Sequence, residues 1–247
     1  MKIVATIEAR MTSSRLPGKV MLPALDRPML AHLTSRLKAA PSIDEIVLAT
    51  TVNATDDVLV EFAKQDGIKV FRGSEEDVMS RVIGAAESAQ ADVVVEITGD
   101  CPIIDPDLVE QTIRVFKRNE KAVYCANSFI SSYPDGMDTQ VMTLEALKKS
   151  FSMTDDPLDR EHVSRHIVQN PQLFPHVYLI APPSLHWPGL GLTLDEPGDY
   201  ELIRTLIENL GKDNPLFGCG DVIRFLRANP QVLKINDMVQ RKDARPT

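Results

Sequence analysis

An apolar run, Ile3-Val4-Ala5-Thr6-Ile7, gives way within three residues to a loop that carries Arg10, Ser13, Ser14, Arg15, Gly18 and Lys19. The run reads as a buried first strand. Three cations, two hydroxyls and a glycine at the carboxyl end of a strand suit a polyphosphate. Arginine forks bind phosphate oxygens in pairs, lysine adds a point charge, and glycine lets backbone N–H groups approach. A solvent-facing basic loop is the plainer reading. Its place directly after a first strand, where open α/β sheets put their ligands, favours phosphate. The loop is neither G-x-x-x-x-G-K-[ST] nor G-x-G-x-x-G, and Gly189-Leu190-Gly191 is only an isolated G-x-G.

Strand and helix patterns alternate through the first half of the chain. Helix is expected from Pro28 to Ala39, strand from Ile46 to Thr50, then a helix capped by Thr55 and ended by Gly67. A short strand, Lys69 to Phe71, leads to a helix opened by Ser74 and Asp77 and running to Ala89. Asp92 to Thr98 reads as the central strand, and Asp105 caps a helix from Pro106 to Arg118. This rhythm means βαβ units, a mostly parallel sheet and helices on both faces. It breaks between Tyr124 and Leu192, where Ser131 to Gly136 is turn-rich, Pro157 to Asn170 is helical, and Val177 to Ile180 is a candidate strand. A strand Leu192 to Leu194 follows, and helices Gly198 to Leu210 and Val222 to Ala228 are expected to return to the main sheet. The expectation is one domain over 1–247 with a small inserted lid or dimerisation lobe at about 124–192. Phe129, Tyr133, Phe151 and Trp187 look exposed in that lobe and suggest a homodimer.

With 43% apolar residues, 247 residues can bury a sizeable core. A net charge of −8 argues against general nucleic-acid binding. No apolar run reaches membrane-spanning length, and Met1 to Val4 reads as strand rather than signal peptide. Cys101, Cys125 and Cys219 form no C-x-x-C pair, as expected of reduced thiols in the cytoplasm.

Asp100 follows the central strand in Thr98-Gly99-Asp100-Cys101-Pro102, where a carboxylate can hold Mg²⁺ or simply cap a turn. Asp195 precedes a helix, so it either binds a cation or favours that helix's positive end. Arg72 and Ser74, past the third strand, can meet the edge of a nucleotide base or serve as a surface cation and a cap. His162 and His166 lie four apart on the expected helix, yet lack the glutamate of H-E-x-x-H, so zinc is disfavoured. Arg160, His162 and Arg165 can instead receive a carboxylate. No G-x-S-x-G elbow supports a serine nucleophile.

Ala9-Arg10-Met11 with Ser13-Ser14-Arg15-Leu16-Pro17-Gly18-Lys19 resembles the signature of cytidylyltransferases that activate acidic sugars, most closely the SpsF-like branch. CMP-Kdo synthetases and acylneuraminate cytidylyltransferases are more distant likenesses. The resemblance continues at Phe71 to Val78, Thr98 to Pro102, Glu161-His162-Val163 and Leu192 to Asp199, in order along nearly the whole chain. Glu8 stands where the family usually carries Gln or Pro, and Thr12 where it often carries Gly.

The resemblance implies a Rossmann-like nucleotidyltransferase fold. It also implies CTP and a sugar acid as small-molecule substrates, Mg²⁺ on Asp100 and Asp195, and pyrophosphate as product. Arg10, Arg15 and Lys19 would hold the triphosphate and act with Asp100 in catalysis. Ala9, Ser13, Ser14 and Gly18 would complete the nucleotide site. A sugar 1-phosphate or phosphonate acceptor, another NTP, or a non-catalytic nucleotide-binding regulator are the alternatives.

Overall fold

The computed structural model describes residues 1–239. In chain order the elements are β1 (Ile3–Glu8), β2 (Pro23–Ala24), β3 (Arg27–Pro28), α1 (Met29–Lys38), β4 (Glu45–Thr51), α2 (Asp57–Asp66), β5 (Lys69–Gly73), α3 (Val78–Ser88), β6 (Val93–Thr98) and α4 (Pro106–Arg118). There follow β7 (Tyr124–Ala126), β8 (Gln140–Thr143), α5 (Leu144–Phe151), α6 (Pro157–Glu161), α7 (Arg165–Gln169), β9 (His176–Tyr178), α8 (Pro197–Leu210) and α9 (Cys219–Ala228).

Seven strands form one sheet in the order β5-β4-β1-β6-β8-β7-β9. Strands β5, β4, β1 and β6 are mutually parallel, and β8 runs antiparallel to both of its neighbours. Because side chains alternate along a strand, β1 sends Ile3, Ala5 and Ile7 to one face and Val4 to the other. The first face packs against α1, α2 and α4, the second against α3, α5 and α7. Both faces are apolar, as a parallel sheet with two helical layers requires.

The stretch 124–192 supplies three of the seven strands, so much of it extends the main sheet. Strands β7 and β8 and helix α5 were not among the expected elements. Each strand is only three or four residues long, too short for an alternation to show. Helices α8 and α9 do not return to that sheet. Their apolar faces close a separate core with Leu190, Leu192 and Leu194. Tyr133 also belongs to that core and is buried, against the expectation of an exposed ring.

Three local expectations need correction. Thr55 does not cap a helix; it lies in a 3₁₀ turn, Ala54–Asp56, ahead of α2. The cap of α3 is Asp77, whose carboxylate accepts the Ser80 N–H, while the Ser74 hydroxyl accepts the Asp77 N–H. The helix expected over Pro157 to Asn170 is broken at His162 to Ser164. The break lets Val163 enter the core and lets the Ser164 hydroxyl donate to Gln140 Oε1.

Candidate active site

The loop after β1 is pinned before any ligand arrives. Buried Asp56 accepts the Met11 N–H at 2.8 Å and also the hydroxyls of Thr50 and Thr51. Glu75 accepts the Thr12 hydroxyl, the Arg10 guanidinium and the Asn53 amide, so one carboxylate ties the loop to two others. Gly18 sits at φ 69°, a left-handed conformation that suits glycine, and its N–H closes the loop onto the Met11 carbonyl at 2.9 Å. A 3₁₀ turn, Lys19–Met21, follows and turns Lys19 back toward the sheet. Asp56, Asn53 and Glu75 were not among the expected site residues. Their contacts with the loop after β1, and that between Asn53 and Glu75, span 22 to 65 residues of sequence, and no local pattern encodes them.

Lys19 Nζ lies 3.1 Å from Asp100 Oδ2 and 3.0 Å from Asp195 Oδ1. Arg15 reaches the same Asp195 oxygen at 3.1 Å and Glu196 at 3.7 Å. Two carboxylates 95 positions apart in the numbering therefore share one ammonium. Burial on its own would raise the Asp100 carboxyl. Lys19 and the Thr98 hydroxyl overcome it and hold Asp100 below its ordinary value. Burial pulls Lys19 down, and Asp100 and Asp195 more than reverse that.

Asp100 stands just beyond the carboxyl end of β6. There Gly99 donates its N–H to the Glu8 carbonyl at 2.9 Å, and a Cβ on Gly99 would come within 2.7 Å of that oxygen. Asp195 does not end a strand, contrary to the sequence reading. The Leu192 and Leu194 N–H groups bond to the carbonyls of Asp135 and Asp100, which sets the loop in place. Asp199 accepts the N–H groups of Asp195 and Glu196, the end of a capping box that opens α8.

Next to this cluster lies a cavity of about 500 Å³. Its floor is Glu8, Glu96 and Thr98, and its walls include Asp135, Asp138, His162 and Arg165. Thr98 connects the two places, because its hydroxyl donates to Asp100 at 2.6 Å.

The remaining expected residues divide. Ala9 is buried, Ser13 is half-buried and Ser14 is exposed, all beside the pinned loop. Arg72 is engaged by the Thr51 and Asn53 carbonyls and by Asp57, so it braces the turn after β4. Ser74 stays at its cap on the neighbouring turn. Arg160 stacks 3.5 Å above the Phe151 ring and donates to the carbonyls of Phe151 and Thr154; it does not line the cavity. His162 and Arg165 do line it, and Arg165 also pairs with Asp156 and Asp159. His166 faces the other way, 3.0 Å from the Ser150 hydroxyl. No group of three or more metal-ligating side chains occurs among the described residues.

A mostly parallel sheet with a cationic loop at its carboxyl edge and two acids beyond it defines a nucleotidyltransferase fold. The chain belongs to the cytidylyltransferase family, whose pattern it matches over residues 4–210. It is 31% identical over 237 residues to the spore coat polysaccharide biosynthesis protein SpsF of Bacillus subtilis, covering 92% of this chain and 95% of that one. A cytidylyltransferase structure from Leptospira borgpetersenii superposes with a TM-score of 0.90 at 32% identity, over 98% of this chain and 100% of that one. CMP:2-keto-3-deoxy-manno-octonic acid synthetase complexed with CTP shares the fold, with a TM-score of 0.62 at 19% identity over 85% and 99% of the two chains.

Proposed function

We propose that this chain transfers CMP from CTP to an acidic sugar, a nonulosonic or related 2-keto acid, with release of pyrophosphate and for a surface glycan. The observation that carries the reading is the convergence of Arg15 and Lys19 on Asp100 and Asp195 beside a cavity large enough for a sugar. The names of the SpsF and CMP-ketooctonate synthetase relatives agree with a polysaccharide precursor as acceptor.

In this reading the loop receives the triphosphate. Arg10, Arg15 and Lys19 offset its charge, and that charge grows on the departing pyrophosphate. Ser13, Ser14 and the backbone around Gly18 add donors. The sugar lies in the cavity with its anomeric hydroxyl toward Thr98 and Asp100, in line with the α-phosphate. His162 and Arg165 on the cavity wall meet its carboxylate. No covalent intermediate with the chain is needed.

Asp100 and Asp195 fit Mg²⁺. They are hard oxygen donors, and they already hold one positive charge between them in the form of Lys19. Two carboxylates, with phosphate oxygens and water for the rest, are what this ion commonly takes. Bound there, Mg²⁺ would polarise the α-phosphate and make the attacking hydroxyl more acidic.

The test is a pyrophosphate-release screen of four NTPs against a panel of sugar acids. Turnover with CTP alone is expected; release with another NTP, or binding without turnover, would reject the reading. A cytoplasmic homodimer is part of the same proposal. Among the described residues no helix is long and apolar enough to cross a membrane. Phe129, stacked on Tyr178 of the edge strand β9, and Ile180 leave apolar surface beside that edge. A monomeric mass by light scattering at micromolar concentration would count against the dimer.

A further inference from the structure

Arg165 enters the cavity wall with its carboxylate partners behind it. Both of its ion pairs run from Nη1, to Asp156 Oδ2 at 3.2 Å and to Asp159 Oδ1. Arg165 lines the cavity, and neither acid does. Among the described residues, Nε and Nη2 of Arg165 donate to no other group. A guanidinium offers five N–H donors in a planar fork. With one nitrogen held from behind, the rest of the fork is open to an anion in the cavity.

The support behind Arg165 is itself fixed. Asp159 is 4% exposed, and both of its oxygens are used, Oδ1 by Arg165 and Oδ2 by the Thr154 hydroxyl at 2.6 Å. Thr154 Oγ1 also accepts the Asp156 N–H, so one hydroxyl ties the two acids together. Asp156 caps α6 by accepting the Leu158 N–H at 2.9 Å, with Pro157 in the first turn. Arg160 fastens α6 to the end of α5, through the Phe151 ring and the carbonyls of Phe151 and Thr154. After the break that follows α6, the Arg165 N–H closes a turn onto the His162 carbonyl at 2.8 Å. A long side chain is thus held in place before any acceptor arrives.

We propose that Asp159 is a positioning residue for the acceptor: it holds Arg165 so that the open edge of the guanidinium meets the acceptor's carboxylate. The inference rests on the sugar-acid reading above and deepens it, by naming what makes that wall selective for an acid. A long side chain that must be ordered at binding weakens affinity, and one ordered in advance does not. Asp159 also carries a charge that repels an anion, but it stands outside the cavity, beyond the guanidinium. Asp156 alone is a poorer anchor, because its side chain is 46% exposed and water competes for it.

The experiment pairs 2-keto sugar acids, 3-deoxy-manno-octulosonate among them, with their C1 carboxamides. Pyrophosphate release with CTP gives kcat/KM for each, and the acid-to-amide ratio is the readout. Asp159→Asn keeps the volume and loses the charge. It should lower that ratio roughly threefold to tenfold, through KM for the acid, with KM for CTP within about twofold of wild type. In an Arg165→Met background the same change should leave the ratio where it is, because Asp159 then has nothing to position. Thr154→Val frees Asp159 Oδ2 while keeping every charge, and should lower the ratio by a smaller factor. An unchanged or higher ratio in Asp159→Asn, or the same loss in the Arg165→Met background, overturns the positioning role and leaves cytidylyl transfer standing. If Asp159→Asn does not fold, Thr154→Val decides alone, and a wild-type ratio there overturns the role. Absence of turnover with every acid removes the sugar-acid reading and the positioning role with it.

Discussion

Two pairs of carboxylates stand near the carboxyl edge of the same sheet, and the chain treats them oppositely. Asp100 and Asp195 are brought together around Lys19, with Arg15 beside them. Glu8 and Glu96 are brought together with no lysine between them. In the first pair, Asp100 is held below its ordinary range by a cation that outweighs burial. In the second, burial pushes both groups up, Glu96 to about 7 with repulsion from Asp100 added, and Glu8 well above its ordinary value with repulsion from Glu96 added. Like charges in close contact need either a cation or a proton. The first pair is organised for positive charge from the start, and the second waits with a proton in its place.

The largest test of this contrast removes the acids of the first pair. Asp100→Asn and Asp195→Asn should each lower pyrophosphate release on the order of a hundredfold or more, partly recovered by high Mg²⁺ or by Mn²⁺. Steady-state rates over a metal titration check this, and near-wild-type rates would dissolve the pair as a functional unit.

Next comes the lysine. Lys19→Met should cost roughly tenfold to a hundredfold in turnover, since it removes a donor to the departing pyrophosphate. It should also tighten Mn²⁺ binding in the absence of nucleotide, because the ion no longer competes with an ammonium. A Mn²⁺ titration read by electron paramagnetic resonance would reject the shared position if affinity stayed the same or fell.

The second pair is tested by pH. Carboxyls raised on folding give stability that is full below the unfolded value of 4.5 and is lost as pH rises through the folded values, about 7 for Glu96. Asp100 works the other way, stabilising above 3.8 and ceasing to do so as pH falls through its depressed value. Glu8→Gln removes one of the two raised groups. The variant should lose less stability than the wild type between pH 5 and pH 8, by a few kcal/mol at most. Thermal denaturation at both pH values decides it, and parallel losses would refute the shared proton.

The smallest effect belongs to Asp199, which supports the first pair without joining it. Asp199→Asn weakens the capping box that orients Asp195 and should cost about 1 kcal/mol of stability and less than tenfold in turnover. Calorimetry alongside the same release assay separates the two costs. A loss as large as that of Asp195→Asn would move Asp199 into the cluster itself.

The alternation of apolar runs, caps and glycines from Ile3 to Arg118 was legible because each signal is local. Asp105 caps α4 and Gly67 ends α2 where the pattern put them. The loop after β1 was legible as a concentration of charge, since its residues are adjacent in the chain. The short strands β7 and β8 were not, because three or four residues carry no period. Their place in the sheet comes from pairing with β6 and with each other.

The one-letter string contains Glu8, Glu96, Gln140 and Ser164, but nothing local joins residues so far apart. Parallel register puts Glu8 and Glu96 on one face, antiparallel β8 brings Gln140 across, and the break after α6 delivers Ser164. Likewise Lys19, Asp100 and Asp195 are each suggestive alone. Only the closure of a loop, a strand end and a second loop on one point makes them share a charge. Sequence fixes residue type and local conformation through short-range sterics and periodicity. Which distant side chains must settle their charges together is decided by packing.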